Sequence, residues 1–230
     1  MRAVMRLVVV GILLGVLILM VWSRIAARFG TREQIKLPEP RAEGGLSVEA
    51  AIAARRSVRE FDPRPLSWAE IGQLAWAAQG ITDPIRRLRA APSAGALYPL
   101  ELYFATPDGL YHYLPDGHRM ERLGARDRRR DLQEAVVGEE VGPAPLVIVI
   151  SAVLERTAQK YRSRAERYVC LEVGHVGENL QLQAVALGLG SVPIGGFREE
   201  QVAKALGLPQ GRQPLYLIPV GYPKTTPSSR

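Results

Sequence analysis

The chain contains one cysteine and three histidines in 230 residues. Cys170 alone excludes an internal disulfide, and three scattered histidines give no zinc-like ligand spacing, so neither a disulfide scaffold nor a metal centre is expected. The neighbours of Cys170 follow a helical pattern that predicts a buried thiol. Acidic residues are missing from the first 30 positions, which carry Arg2, Arg6, Arg24 and Arg28. Setting these aside reduces the net charge of +7 to +3 for the other 200 residues, too little for a nucleic-acid surface without a dense local stripe. The richest run, Arg126-Asp127-Arg128-Arg129-Arg130, stands at a predicted helix start and reads as a solvated face. There is no internal repeat and no low-complexity tract, which excludes an array. The length suits one domain with a sizeable core.

Charge is also absent from Leu7 to Trp22, a run of 16 residues dominated by Leu, Val and Ile. As a helix it would reach about 24 Å at ~1.5 Å per residue, short of the ~30 Å hydrocarbon core. Ala3 to Met5 extend it, Arg6 can snorkel and Trp22 suits the interface. A cleavable signal is the competing reading. No small-x-small cleavage site precedes Arg24, so residues 1–30 fit one uncleaved transmembrane helix better. Arg24, Arg28, Arg32 and Lys36 outnumber the basic groups before the span, which tips the following domain toward the cytoplasm. Residues 31–46, with Pro38, Pro40 and Gly44-Gly45, read as a linker, and residues 47–230 as the folded domain.

Within that domain Ser47 can cap a helix over Val48 to Ala54, and Ser67 with Glu70 forms a capping box for a second helix ending near Gly80, a natural left-handed C′ residue. From Leu100, short aromatic-rich runs separated by Pro107-Asp108-Gly109 and Pro115-Asp116-Gly117 predict an antiparallel meander. A helix over about Asp127 to Val137, a buried strand over Leu146 to Val153, a long helix over Glu166 to Leu187, a short helix over 198–206 and a last strand over Leu215 to Val220 follow. Segregated helices and strands give an α+β class, with helices covering a mainly antiparallel sheet.

Three segments carry chemistry. Arg55-Arg56-Ser57-Val58-Arg59 places three guanidinium forks and a hydroxyl within five positions, a set suited to phosphate oxygens; arginines ending a helix can equally be solvated charges that favour its negative terminus. Ala91-Pro92-Ser93-Ala94-Gly95-Ala96-Leu97-Tyr98 forms a tight loop before a strand. Ser191-Val192-Pro193-Ile194-Gly195-Gly196-Phe197 brings two glycines together, where backbone N–H groups can approach a ligand that a Cβ would exclude. In this order and spacing, over roughly Ser47 to Lys224, the chain resembles the flavin-dependent nitroreductase family, and within it the SagB-type and ThcOx-type dehydrogenases.

The resemblance implies a nitroreductase-like fold, FMN as cofactor and an intertwined homodimer with flavin at the subunit boundary, built on the long helix. It implies phosphate contacts from Arg55, Arg56, Ser57, Arg59 and Lys224, ring contacts from Ser93, Ala94, Ala96 and Tyr98, and an N–H donor to flavin N5 from Gly195 or Gly196. Ala96 stands where simple nitroreductases often carry Asn, a departure that fits the SagB-like branch. Lys160 and Tyr161 resemble the Lys-Tyr pair implicated in proton transfer in azoline-oxidising members. A lysine desolvated near other cations can serve as such a base, whereas a Lys-Tyr dipeptide at a helix edge is otherwise common on surfaces. His175, with Gly174 and Gly177 beside it, is expected at a helix contact. The implied activity is hydride transfer through flavin N5, with an azoline-like ring or a peptide bearing one as substrate. The alternatives are an NAD(P)H-dependent quinone or nitro-compound reductase and a flavin-binding partner protein without turnover.

Overall fold

The structure, a computed structural model, describes residues 32–224. The predicted membrane segment therefore lies outside the described residues, and among those described no helix is long and apolar enough to cross a membrane. Strands β1 (Gln34–Lys36), β4 (Leu100–Thr106), β5 (Gly109–Leu114), β6 (Arg119–Gly124), β7 (Leu146–Ala152), β8 (Gly190–Ser191) and β9 (Gln213–Gly221) form one sheet in the order β1-β6-β5-β4-β7-β9-β8. Every pairing in it is antiparallel. A separate hairpin pairs β2 (Ile81–Asp83) with β3 (Leu88–Arg89). The helices are α1 (Val48–Ala54), α2 (Trp68–Gln79), α3 (Arg129–Ala135), α4 (Leu154–Tyr161), α5 (Ala165–Ala186) and α6 (Glu199–Leu206).

The central strands read as continuous apolar runs because both their faces are covered. Side chains alternate between faces with period two. Leu102, Phe104, Ile148, Ile150 and Ile218 join Leu74, Ala78, Val173, Val176 and Leu180 of α2 and α5. Their neighbours Tyr103, Ala105, Val147, Val149 and Leu217 face Leu132, Val202 and Leu206 of α3 and α6. Burying each large aliphatic side chain contributes about 1.5–3 kcal/mol, so α5, with Val169, Val173, Val176, Leu180 and Ala184 buried on this stripe, is fixed mainly by packing.

The caps follow the sequence. The Ser47 hydroxyl accepts from the Ala50 N–H, and Ser67 and Glu70 complete a reciprocal capping box. Gly80 differs from expectation: it is the C-cap of α2 with φ −62° and ψ 150°, not a left-handed residue. Its reason is space, because a Cβ there would lie 2.3 Å from the Trp76 ring. Cys170 is exposed, not buried, since it falls outside the core-facing stripe of α5. His175 and Gly174 are exposed as well, and with Leu171 and Glu178 they make an outward face at helical spacing, Leu171 being 53% exposed. Within the stretch read as linker, β1 pairs with β6 and Leu37 enters the core at 2% exposure.

Candidate functional site

The Pro-Ser-Ala-Gly loop and the Lys-Tyr pair meet although about 65 residues separate them in sequence. Gly95 has φ +64°, and a Cβ built on it would lie 2.9 Å from Lys160 Nζ and 3.0 Å from the Tyr161 hydroxyl. The loop backbone thus closes directly on the tips of both side chains. The carrier of the pair, α4, was not legible as a separate helix. It is registered against the loop by the Val153 N–H donating to Pro99 O at 2.9 Å and by Arg156 Nη1 donating to Tyr98 O at 3.1 Å. Lys160 stands one turn beyond Arg156.

Backbone strain concentrates at the same junction. Among the described residues five non-glycine residues have positive φ, and three of them, Ala96 (53°), Tyr98 (47°) and Arg162 (49°), flank the meeting point of loop and pair. Each such conformation costs on the order of 1–2 kcal/mol and persists only where the surroundings fix it. Tyr161 is further held edge to face against Tyr168, with ring centroids 4.8 Å apart.

Two carboxyls, Glu101 half-buried and Glu172 buried, support the loop from behind, and sequence reading gave neither a role. Glu101 on β4 accepts from His112 Nε2 at 2.6 Å and from Arg156 Nη2 at 2.5 Å. Although burial opposes its charge, these partners hold it at about 2, well below the carboxylate range. Glu172 on α5 is 2% exposed. Burial pushes it up to about 7, against the pull of the neighbouring Ser93 hydroxyl, the hydrogen bond it receives from Gln79 and the attraction of Arg89. Gln79 Nε2 lies 3.4 Å from Glu172 Oε1, and Gln79 Oε1 in turn accepts from Arg89 Nη1 at 2.8 Å. The Ser93 hydroxyl also accepts from the Tyr98 N–H at 2.9 Å, while the Tyr98 hydroxyl accepts from the Arg89 N–H and its ring lies under the Arg89 guanidinium. A buried acid in a helical stripe of mixed apolar and polar residues was the available signal.

The arginine segment reaches the Gly-Gly turn and the tail through backbone pairing. Ser57 bridges Ser191, the Val58 N–H donates to Ser191 O, and the Lys224 N–H donates to Glu60 O. Gly190 permits that approach, because a Cβ there would lie 2.7 Å from Val58. The Arg59 carbonyl accepts from the Gly142 N–H, and the Gly196 carbonyl from the Val137 N–H, so the 136–142 segment borders both. The side chains are dispersed over this frame. Arg55 reaches Gln181 on α5 at 3.4 Å, and Arg56 turns back to the carbonyls of Ala53 and Arg55. Arg59 pairs with Glu139 at 3.1 Å beside a depression of ≈ 640 Å³. Arg56, Ser57 and Lys224 are exposed. A half-exposed pair such as Arg59 with Glu139 contributes at most about 1 kcal/mol, so a phosphate dianion could recruit the guanidinium. Gly195 has open space where its Cβ would be, and among the described residues the N–H groups of Gly195 and Gly196 have no backbone acceptor. They are available donors.

Helix α5 links the two ends. It meets the loop at Glu172 and Arg55 at Gln181, nine residues apart, or about 14 Å at ~1.5 Å per residue. Among the described residues no cluster of His, Cys, Asp and Glu could hold a metal ion.

An antiparallel sheet between two helical layers carries these three segments on one frame. The nitroreductase family model matches residues 52–222, and the chain belongs to that family. A provisionally named nitroreductase of Methanocaldococcus jannaschii is 37% identical over 199 residues, covering 84% of this chain and 98% of the relative. The microcin B17-processing protein McbC of Escherichia coli is 30% identical over 162 residues, 65% of this chain and 59% of McbC's own length. A solved structure of a provisionally named nitroreductase from Ralstonia eutropha JMP134 superposes with a TM-score of 0.79 at 30% identity, covering 86% of this chain and 92% of the other. The likeness to McbC supports the SagB-type branch.

Proposed function

We propose that the protein is an FMN-dependent oxidoreductase that oxidises an azoline-like ring on a small molecule or peptide. One observation carries this reading: the Gly95 backbone, in a left-handed conformation, closes on Lys160 Nζ and the Tyr161 hydroxyl. That contact gives a ring-binding loop an acid–base pair at its edge. Bound along the loop, FMN would supply a two-electron acceptor at N5. Ser93, Ala94, Ala96 and Tyr98 would line its ring, Gly195 or Gly196 would donate an N–H to it, and Arg55, Arg56, Ser57, Arg59 and Lys224 would hold its phosphate. The open donors of the Gly-Gly turn and the exposed Arg56, Ser57 and Lys224 fit those roles. Lys160 or Tyr161 would take the proton that leaves the substrate ring as its hydride departs. McbC is a microcin-processing protein by name, and that kinship favours a peptide-borne ring.

A second reading, an NAD(P)H-dependent quinone or nitro-compound reductase, is favoured by the provisional name of the M. jannaschii relative. Lys160→Ala separates the two. Positioned acid–base groups contribute about 10²–10⁴ in rate, so azoline oxidation should fall by that factor with flavin content unchanged. A reduction that draws its proton from solvent should be nearly unaffected. Turnover of every accepted substrate at the wild-type rate would sink the azoline reading. A purified wild type that is colourless and cannot be loaded with FMN would leave the partner-protein reading.

The outward face of α5, with Leu171, Gly174 and His175, is the proposed homodimer contact, which light scattering of the purified protein checks. The N-terminal segment is proposed to tether the domain to a membrane on its cytoplasmic side. Partition of the full chain, but not of residues 32–230, into the membrane fraction is the expected result.

A further inference from the structure

Four cations stand together at the rim of the site, more than proton transfer needs. Lys160 lies in the last turn of α4, Arg162 and Arg164 on the single 3₁₀ turn that follows, and Arg167 in the first turn of α5. All four residues are exposed, and the one acid among positions 160–167 is Glu166. Among the described residues none of the four forms an ion pair. The basic run at 126–130 behaves differently: Arg126 and Arg128 pair with Asp131, Arg129 with Asp127 and Arg130 with Glu134. That face is neutralised from within, and the face beside the site is not. Helix stability does not account for the second run. Lys160 and Arg162 suit the negative end of α4, but Arg164 is the N-cap of α5 without making a capping bond, and Arg167 follows within its first turn. Cations at that end oppose the helix dipole. The run is also continuous with the acid–base pair. The Arg164 guanidinium carbon lies 5.9 Å from the ring centroids of both Tyr161 and Tyr168, which pack edge to face, and Lys160 Nζ and the Tyr161 hydroxyl meet the Gly95 backbone.

Resting on the peptide reading above, we propose that Arg162, Arg164 and Arg167 form a docking surface for carboxylates of the substrate, which is a peptide carrying Asp or Glu close to the reacting ring. Guanidinium forks match carboxylates bidentately, and the Tyr161 and Tyr168 rings offer an apolar floor beside them. The cations are exposed and spread over two helix ends instead of converging in a buried cradle. That arrangement suits several carboxylates spaced along an extended chain better than a single phosphate. Exposed pairs are individually weak, about 1.5- to 5-fold in affinity each, so the surface acts through their number. The same charges speed encounter with an anionic partner, and salt screens them.

The test uses the full-length protein and two end-labelled synthetic peptides that carry one thiazoline and differ only in having Glu or Gln on both sides of it. By fluorescence anisotropy at low ionic strength, the Glu peptide should bind about 10-fold more tightly than the Gln peptide. The difference should vanish in Arg162→Gln combined with Arg167→Gln, and in the wild type at about 0.5 M salt. In turnover with flavin bound, the loss in that variant should appear in KM and not in kcat, since neither arginine belongs to the acid–base pair. Arg162→Lys with Arg167→Lys keeps both charges and should keep most of the preference, which separates charge from a structural effect. Equal binding of the two peptides by the wild type would overturn the inference, as would a preference that survives in the Gln variant. Acid-selective binding without turnover leaves the docking surface standing and removes the azoline reading. NADPH bound more tightly than NADH through the same arginines, with no preference between the peptides, would assign the cations to a nucleotide phosphate and overturn the proposal. If the double variant does not fold, Arg167→Gln alone should lower the preference by about 2-fold or more, and an unchanged preference refutes the surface.

Discussion

Replacing Glu172 by Gln should stabilise the flavin-free protein at alkaline pH and leave it nearly unchanged at pH 4.5. The carboxyl is raised from 4.5 to about 7 by burial. The folded state therefore holds a proton that the unfolded state has released. Wherever the folded state binds more protons, stability falls as pH rises. The penalty is absent below 4.5, grows between 4.5 and 7, and is complete above 7. Going from 4.5 to about 7 at about 1.36 kcal/mol per pH unit gives roughly 3 kcal/mol. Urea unfolding at pH 5, 6, 7 and 8, at one protein concentration and without flavin, provides the assay, because a bound ligand would add its own stabilisation. The wild type should lose about 2–3 kcal/mol relative to Glu172→Gln between pH 5 and pH 8. Glu101 has the opposite sign. Held at about 2 by His112 and Arg156, it adds stability above 4.5 that is lost as pH falls toward 2, so it does not contaminate the alkaline limb. Parallel stability curves for the two proteins from pH 5 to 8 would refute the argument that burial leaves Glu172 without sufficient counter-charge.

Gly95→Ala should cost about 1–2 kcal/mol for the left-handed backbone and push Lys160 Nζ and the Tyr161 hydroxyl away from the loop. Turnover should drop with flavin content retained, and an unchanged kcat would detach the pair from the loop. Arg56→Ala combined with Arg59→Ala should release flavin, since each charge-assisted bond contributes about 1.5–3 kcal/mol. Unchanged flavin content by absorbance would remove the phosphate role from both residues.

The fold was legible where a segment carried one strong local signal. The Ser67 capping box and the continuous apolar run over Leu146 to Val153 gave boundaries within a residue or two of those observed. Short strands escaped because their signal is not local. Gln34–Lys36 looks like linker by composition and becomes β1 only because β6 offers it an edge. The α4 helix has the polar sequence Leu-Glu-Arg-Thr-Ala-Gln-Lys-Tyr, and only Thr157 is buried, so no apolar stripe marked it. Cys170 was misplaced for a related reason: periodicity identifies a stripe but not its edges, and Val169 rather than Cys170 faces the core. At the site, residue types were readable and partners were not. Nothing local to Arg56 says that its fork turns back to the carbonyls of its own helix. Glu172 carries no motif; its meaning comes from Gln79 and Ser93, which lie roughly 80 to 95 residues away in sequence.

The two carboxyls behind the loop differ in their electrostatics. Glu101 anchors Arg156, and Arg156 anchors the Tyr98 carbonyl, so the α4 side of the loop is fixed by a charged network that no ordinary pH disturbs. That network keeps the helix carrying Lys160 and Tyr161 in register with the loop. On the α5 side Glu172, bonded to Gln79, is raised by burial to about 7, so its charge changes near neutrality. One side of the loop is therefore held by a charge pair that persists down to about pH 2, while the other faces an acid whose charge is set near pH 7, and low dielectric makes an uncompensated charge expensive at the second.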